Sequence, residues 1–147
     1  LKIETEDRFY DNAYELTIEF EAPYYARRAG GTTMIFNPVF LGRRTWVPPD
    51  SEERQSDYMS FPWSLIESVE YSVPESYRID GDLKNFAHEA TFGDYKLKSI
   101  NADNLIRVER VMRSRQEVIS PDRYDEVVDY YEKIARSDSS PIVLIQD

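Results

Sequence analysis

The chain has 147 residues, with 28 Asp and Glu against 18 Lys and Arg, for a formal charge of −10. That charge argues against binding phosphate backbones or anionic lipid, so neither a nucleic-acid partner nor membrane insertion is expected. With no Cys and a single His, the chain can form no disulfide, thiolate zinc site, Cys nucleophile or multi-His metal centre of its own, and no cofactor is expected.

The first segment, Leu1 to Thr5, alternates apolar and polar residues. After a turn signal at Asp11-Asn12, Tyr14, Leu16, Ile18, Phe20 and Ala22 fall at period two, with Glu15, Thr17, Glu19 and Glu21 between them. The two runs predict an antiparallel hairpin with one face on a core and one in water. Gly30-Gly31 marks a turn, and Thr32 to Phe36 reads as a strand stopped by Asn37-Pro38. Residues 37–62 hold four of the eight prolines and predict a long irregular connection, a kind of segment that is usually functional, mobile or covered by a neighbour.

Alternation returns at Trp63, Leu65, Glu67, Val69, Tyr71 and Val73, closed by Pro74. Tyr77 to Ile79 predicts a short strand before the Asp80-Gly81-Asp82 turn. Phe86, His88, Ala90 and Phe92 predict another, ended by Gly93-Asp94. Tyr95 to Ile100 and Leu105 to Arg113 form a hairpin across Asn101 to Asn104. A helix follows over about 120–137. Ser120 is placed as its N-cap and Pro121 at its first position, with an apolar stripe at Tyr124, Val127, Val128, Tyr131, Ile134 and Ala135. Ile142 to Ile145 closes the chain as a short strand. The pattern predicts a mostly β protein, an antiparallel β-sandwich with one C-terminal helix packed on a sheet edge or face. The length fits a single domain over 1–147. The start at Leu1, without a basic-then-apolar leader, suggests a piece of something longer.

Few residues suggest chemistry. His88 lies among apolar alternates, no G-x-S-x-G elbow is present, and a structural role outweighs a catalytic one. A buried His88 with no cleft beside it would close the enzyme reading. Glu15, Glu19 and Glu21 read as a solvated face, and the Asp/Asn turns lack EF-hand spacing. Arg107, Arg113 and Arg115 share an outward strand face with Glu109, whereas Arg110 falls with Ile106, Val108 and Met112. An inward Arg must find a carboxylate or carbonyl, so Arg110 reads as a structural clamp. Tyr24, Tyr25, Trp46, Tyr58 and Trp63 lie in or beside the proline-rich connection. They could stack on sugar rings, as in a carbohydrate-binding module, or form a rim that docks on another domain, and docking or core packing is favoured.

From about Arg54 onward, the motifs fall in a familiar order. They run through Ser72-Val73-Pro74-Glu75-Ser76-Tyr77, Phe92-Gly93-Asp94-Tyr95 and Val108-Glu109-Arg110. The series then continues with Ile119-Ser120-Pro121-Asp122-Arg123-Tyr124, a helix ending Ile134-Ala135-Arg136-Ser137-Asp138, and Ile142-Val143-Leu144. This resembles the C-terminal β-sandwich of bacterial, Bacteroidetes-type proteins with a transglutaminase-like core, in families known only as domains of unknown function. Pro74, Gly93, Arg110, Pro121 and Tyr124 match as structural positions. In such proteins a Cys–His–Asp site lies upstream, so the resemblance implies that no catalytic residue falls in this chain. It further implies an accessory domain partnered with the transglutaminase-like domain of the same parent, with a peptide or glycan as a further partner. The parent would be exported to the periplasm or cell surface.

Overall fold

The computed structural model describes residues 2–8, 13–19, 22, 24–49 and 54–147. Strands β1 (Lys2–Arg8) and β2 (Ala13–Glu19) pair antiparallel with Ile3 opposite Ile18, the hairpin that the alternation predicts. The Asp11-Asn12 turn and the side chains of Glu15, Glu19 and Glu21 lie outside the described residues.

The first large sheet has the order β6–β10–β9–β8, built from β6 (Trp63–Ser72), β8 (Phe86–Ala90), β9 (Gly93–Ala102) and β10 (Leu105–Ser114). Its inner face follows from period two: Tyr95, Leu97 and Ser99 on β9, and Ile106, Val108, Arg110 and Met112 on β10, are all buried. The β9–β10 turn is tighter than the sequence suggests. Ala102 pairs with Leu105, leaving Asp103-Asn104, and Asp103 takes the left-handed conformation at φ 54° that such a turn requires.

The second large sheet has the order β3–β4–β12–β7, from β3 (Arg27–Ala29), β4 (Thr33–Phe36), β7 (Tyr77–Ile79) and β12 (Ile142–Gln146). The last strand inserts between β4 and β7, pairing Ile142 with Phe36 and Leu144 with Ile79. A two-stranded ladder of β5 (Tyr58–Ser60) and β11 (Glu117–Ile119) completes the set. β5 is therefore a correction to the irregular reading of 37–62, which holds for the described residues 37–49 and 54–57. The two large sheets share one core, in which the Phe36 and Tyr71 ring centroids lie 4.9 Å apart.

The helix starts later than its sequence signals. Pro121–Arg123 form a 3₁₀ turn, α1 runs Tyr124–Asp138, and the Ser120 side chain makes no capping bond. Pro121 suits this first turn because its missing N–H has no partner to lose. Tyr124, Val127, Tyr130, Tyr131 and Ile134 are buried, and the helix packs over β8, the edge strand of the first sheet.

The β8–β9 turn is also displaced. Ala90 pairs with Gly93, so Thr91-Phe92 make the turn and Gly93 opens β9. Gly93 has no left-handed φ, and its requirement is space. A Cβ there would lie 2.7 Å from the Arg113 carbonyl and 3.0 Å from the Tyr130 hydroxyl. The first contact is backbone fixed in a ladder and cannot give. Gly93→Ala should therefore cost about 1–3 kcal/mol, measured by urea denaturation, and an unchanged midpoint would contradict the close approach.

Candidate functional site

Arg110 is 1% exposed and stands directly across the ladder from Glu67, which is 6% exposed. Its Nε lies 2.9 Å from Glu67 Oε2, an ion pair not aligned as a hydrogen bond. Its Nη1 donates to Asp138 Oδ2 at 2.7 Å, and its Nη2 donates to the Leu41 carbonyl. Asp138 is fully buried at the C-terminal end of α1.

Two carboxylates face one guanidinium, and neutral donors meet the excess. Glu67 Oε1 accepts the backbone N–H groups of Phe40 at 3.0 Å and Leu41 at 2.6 Å. Asp138 Oδ2 accepts Arg44 N–H at 2.8 Å, and Oδ1 accepts the Tyr95 hydroxyl at 2.6 Å. Burial first, and this bond second, push the Tyr95 pKa up, so the phenol keeps its proton and donates. Asn37 Nδ2 donates to the Asp138 carbonyl, and Tyr71 donates to the Pro38 carbonyl, each at 2.8 Å. Buried charge is costly to desolvate, and here its geometry holds residues 37–44 against β6, β10 and the helix end.

The aromatic residues singled out from the sequence fall into separate neighbourhoods. Tyr24 is 92% exposed. Tyr25 stacks on Tyr71 with centroids 6.2 Å apart, and its hydroxyl donates to the Asn37 carbonyl at 2.7 Å. Tyr58 sits elsewhere, tilted against Tyr124 at 5.9 Å and edge-on to Phe92 at 6.4 Å. Trp46 and Trp63 are both exposed, at 60% and 41%. Among the structural positions, Pro74 accepts the Tyr77 N–H at 2.9 Å in the β6–β7 turn, and Tyr124 lies buried beneath the Arg54 guanidinium at 4.2 Å.

His88 does border a cavity, of 700 Å³, lined also by Glu89, Thr91, Arg115, Glu126 and Asp129. The condition that would have closed the enzyme reading is therefore not met. The imidazole is half-buried between Phe86 and Tyr130, with Nε2 3.7 Å from Asp129 Oδ2. Burial, then the Lys133 charge, hold its pKa below the usual value against the pull of Asp129. Most of the charged groups around it are spent on each other: Arg115 pairs with Asp94 and Lys133 with Asp129, each at 2.6 Å. Among the described residues no hydroxyl hydrogen-bonds to His88, and no three His, Cys, Asp or Glu converge as metal ligands.

Glu67 and Asn37 belong to no motif that marks them for a role, and Asp138 stands out only as the end of one. Glu67 carried a signal: it occupies the core-facing parity of β6 as Arg110 does that of β10.

Residues 32–144 match the model of a family described as a Domain of Unknown Function with a solved structure, DUF3858. The chain belongs to this family. The matched segment contains Glu67, Arg110 and Asp138, and thus the whole charge cluster. A putative protease from Parabacteroides distasonis resembles the chain in structure, with a TM-score of 0.49 and 16% identity over 80% of this chain. This chain spans 24% of the length of that protein. No protein of curated function matches.

Proposed function

We propose that the chain is a non-catalytic accessory domain that docks on a transglutaminase-like core of the same parent protein, through the 37–62 region, and helps shape its substrate site. The observation that carries this reading is the use of the buried cluster. It fixes the backbone of Phe40 and Leu41 while their side chains stay 42% and 52% exposed. A rigid loop displaying apolar side chains loses little entropy when a partner covers it, which favours docking. Trp46, Phe61 and Trp63 extend the exposed apolar surface along the same stretch of chain. The order of motifs from Pro74 to Leu144 supports the choice of core and an exported parent acting in the periplasm or at the cell surface. No helix among the described residues is long and apolar enough to cross a membrane. A glycan platform made of all five sequence-selected aromatics is disfavoured, because Tyr25 and Tyr58 belong to different ring clusters.

A variant carrying Leu41→Ser and Trp46→Ser should keep its folding stability within about 0.5 kcal/mol, since both side chains are exposed. It should nonetheless bind the purified catalytic domain of its parent at least roughly tenfold more weakly in calorimetric titration. Equal affinity of variant and parent sequence, or no affinity in either, would remove the docking reading.

A further inference from the structure

A groove of 540 Å³ lies beside the end of the second sheet, bordered by Tyr24, Tyr25, Arg27, Ile35, Arg43 and Pro141. Its volume lies within the range of roughly 300–1,000 Å³ typical of small-ligand sites. Two arginines, Arg27 and Arg43, line the groove. Arg78, Arg107, Arg113, Arg115 and Arg123 each pair with a carboxylate. Arg27 and Arg43, like Arg28 and Arg136, have no such partner among the described residues, although the chain carries a charge of −10. Among the described residues, no acidic side chain lines the groove.

The other groups at the groove narrow the ligand. The Asn37 amide is already used, donating to the Asp138 carbonyl and accepting from Val39 N–H at 2.9 Å, so it offers a ligand little. By covering that carbonyl it also removes an acceptor at the helix end that would oppose an anion. Tyr24 presents its ring to solvent from a left-handed backbone at φ 69°, which costs a non-glycine residue about 1–3 kcal/mol and often marks a working position. Tyr25 is held as a fixed wall by its hydrogen bond to Asn37 and its stacking on Tyr71. Among the described residues, the site thus offers a flat apolar face and two open guanidiniums but no free amide or carboxylate. A neutral sugar would want those amides and carboxylates for its hydroxyls. A ring bearing its own carboxylate suits what is present, because guanidinium forks match carboxylate geometry.

We propose that this groove binds a carboxylate-bearing sugar unit, with the ring face on Tyr24 and the carboxylate held by Arg27 and Arg43. Arg43 lies within the proposed docking stretch, but Tyr24 and Arg27 lie outside it, so Tyr24→Ala tests this groove without touching the Leu41 and Trp46 variant that tests docking. The test is calorimetric titration of the chain with trigalacturonate, neutral galactotriose and triglutamate. Trigalacturonate should bind, galactotriose should bind at least roughly tenfold more weakly, and Arg27→Glu with Arg43→Glu should abolish binding. Tyr24→Ala should weaken trigalacturonate binding by a similar factor and leave any triglutamate binding unchanged. All three residues are exposed, so circular dichroism should show the variants folded, and Arg27→Gln with Arg43→Gln gives a milder second pair. Triglutamate binding as tightly as trigalacturonate, with Tyr24→Ala without effect, would identify an acidic peptide site and overturn the assignment. Absence of trigalacturonate binding at millimolar concentration would overturn it as well.

Discussion

Replacing Arg110 by Met is expected to cost about 3–5 kcal/mol of folding free energy, read as a shifted urea midpoint at unchanged slope. The size comes from what is left behind. Glu67 and Asp138 remain buried, keep their backbone and phenol donors, and lose the guanidinium between them. Arg110→Lys should recover little of the loss. One ammonium cannot reach both carboxylates and the Leu41 carbonyl as the planar fork does. The exposed pair of Arg107 and Glu70 is the internal control, and Arg107→Ala should cost no more than about 1 kcal/mol. Similar small losses at both positions would mean that the cluster contributes nothing beyond surface pairing.

Phe92→Ala should cost a comparable amount, about 3–5 kcal/mol. Phe92 is buried in the β8–β9 turn, edge-on to Tyr130 at 5.0 Å and to Tyr58 at 6.4 Å. It wedges between the first sheet, α1 and the β5–β11 ladder. Truncation leaves a cavity whose walls cannot collapse, because the backbone on either side is paired, Ala90 with Gly93 and Arg115 N–H with the Phe92 carbonyl at 2.8 Å. The loss should appear in guanidinium denaturation, together with a weakened near-ultraviolet dichroism from the surrounding tyrosines. A cost below about 1 kcal/mol would mean that the helix does not depend on this wedge for its seat.

These two residues differ in how far the sequence announced them. The alternation puts Phe92 at the end of a strand, yet it forms the turn itself. Its burial and the tight approach at Gly93 come from the helix above, which no local pattern encodes. Arg110 was legible as inward because period two puts it with Ile106, Val108 and Met112. The same parity makes Glu67 inward, but their direct opposition depends on the register between β6 and β10, strands separated by more than thirty residues. Asp138 lies on a different element, and its arrival depends on where α1 ends.

The long elements β6, β9, β10 and α1 could be read because each repeats its period often enough to stand above composition. β3, β5 and β11 could not be read as strands, since three residues show hardly more than one period. The central place of β12 was invisible for another reason. An apolar run such as Ile142 to Ile145 says that a strand is buried but not between which partners. The exposure of Leu41 is least legible of all, because an apolar residue of that kind looks like core until the fold leaves it outside, whereas Trp46 reads from sequence as either core or rim.

The claim that buried charge holds an exposed apolar loop rigid is most directly tested by amide hydrogen exchange at Phe40, Leu41 and Arg44. All three N–H groups donate to buried carboxylates, so they should exchange only through opening of the core, at rates close to those of the central β10 amides. In Glu67→Gln the Phe40 and Leu41 amides should lose protection before the sheet does. Exchange of these three amides at the rate of an unstructured loop in the unmodified chain would contradict it.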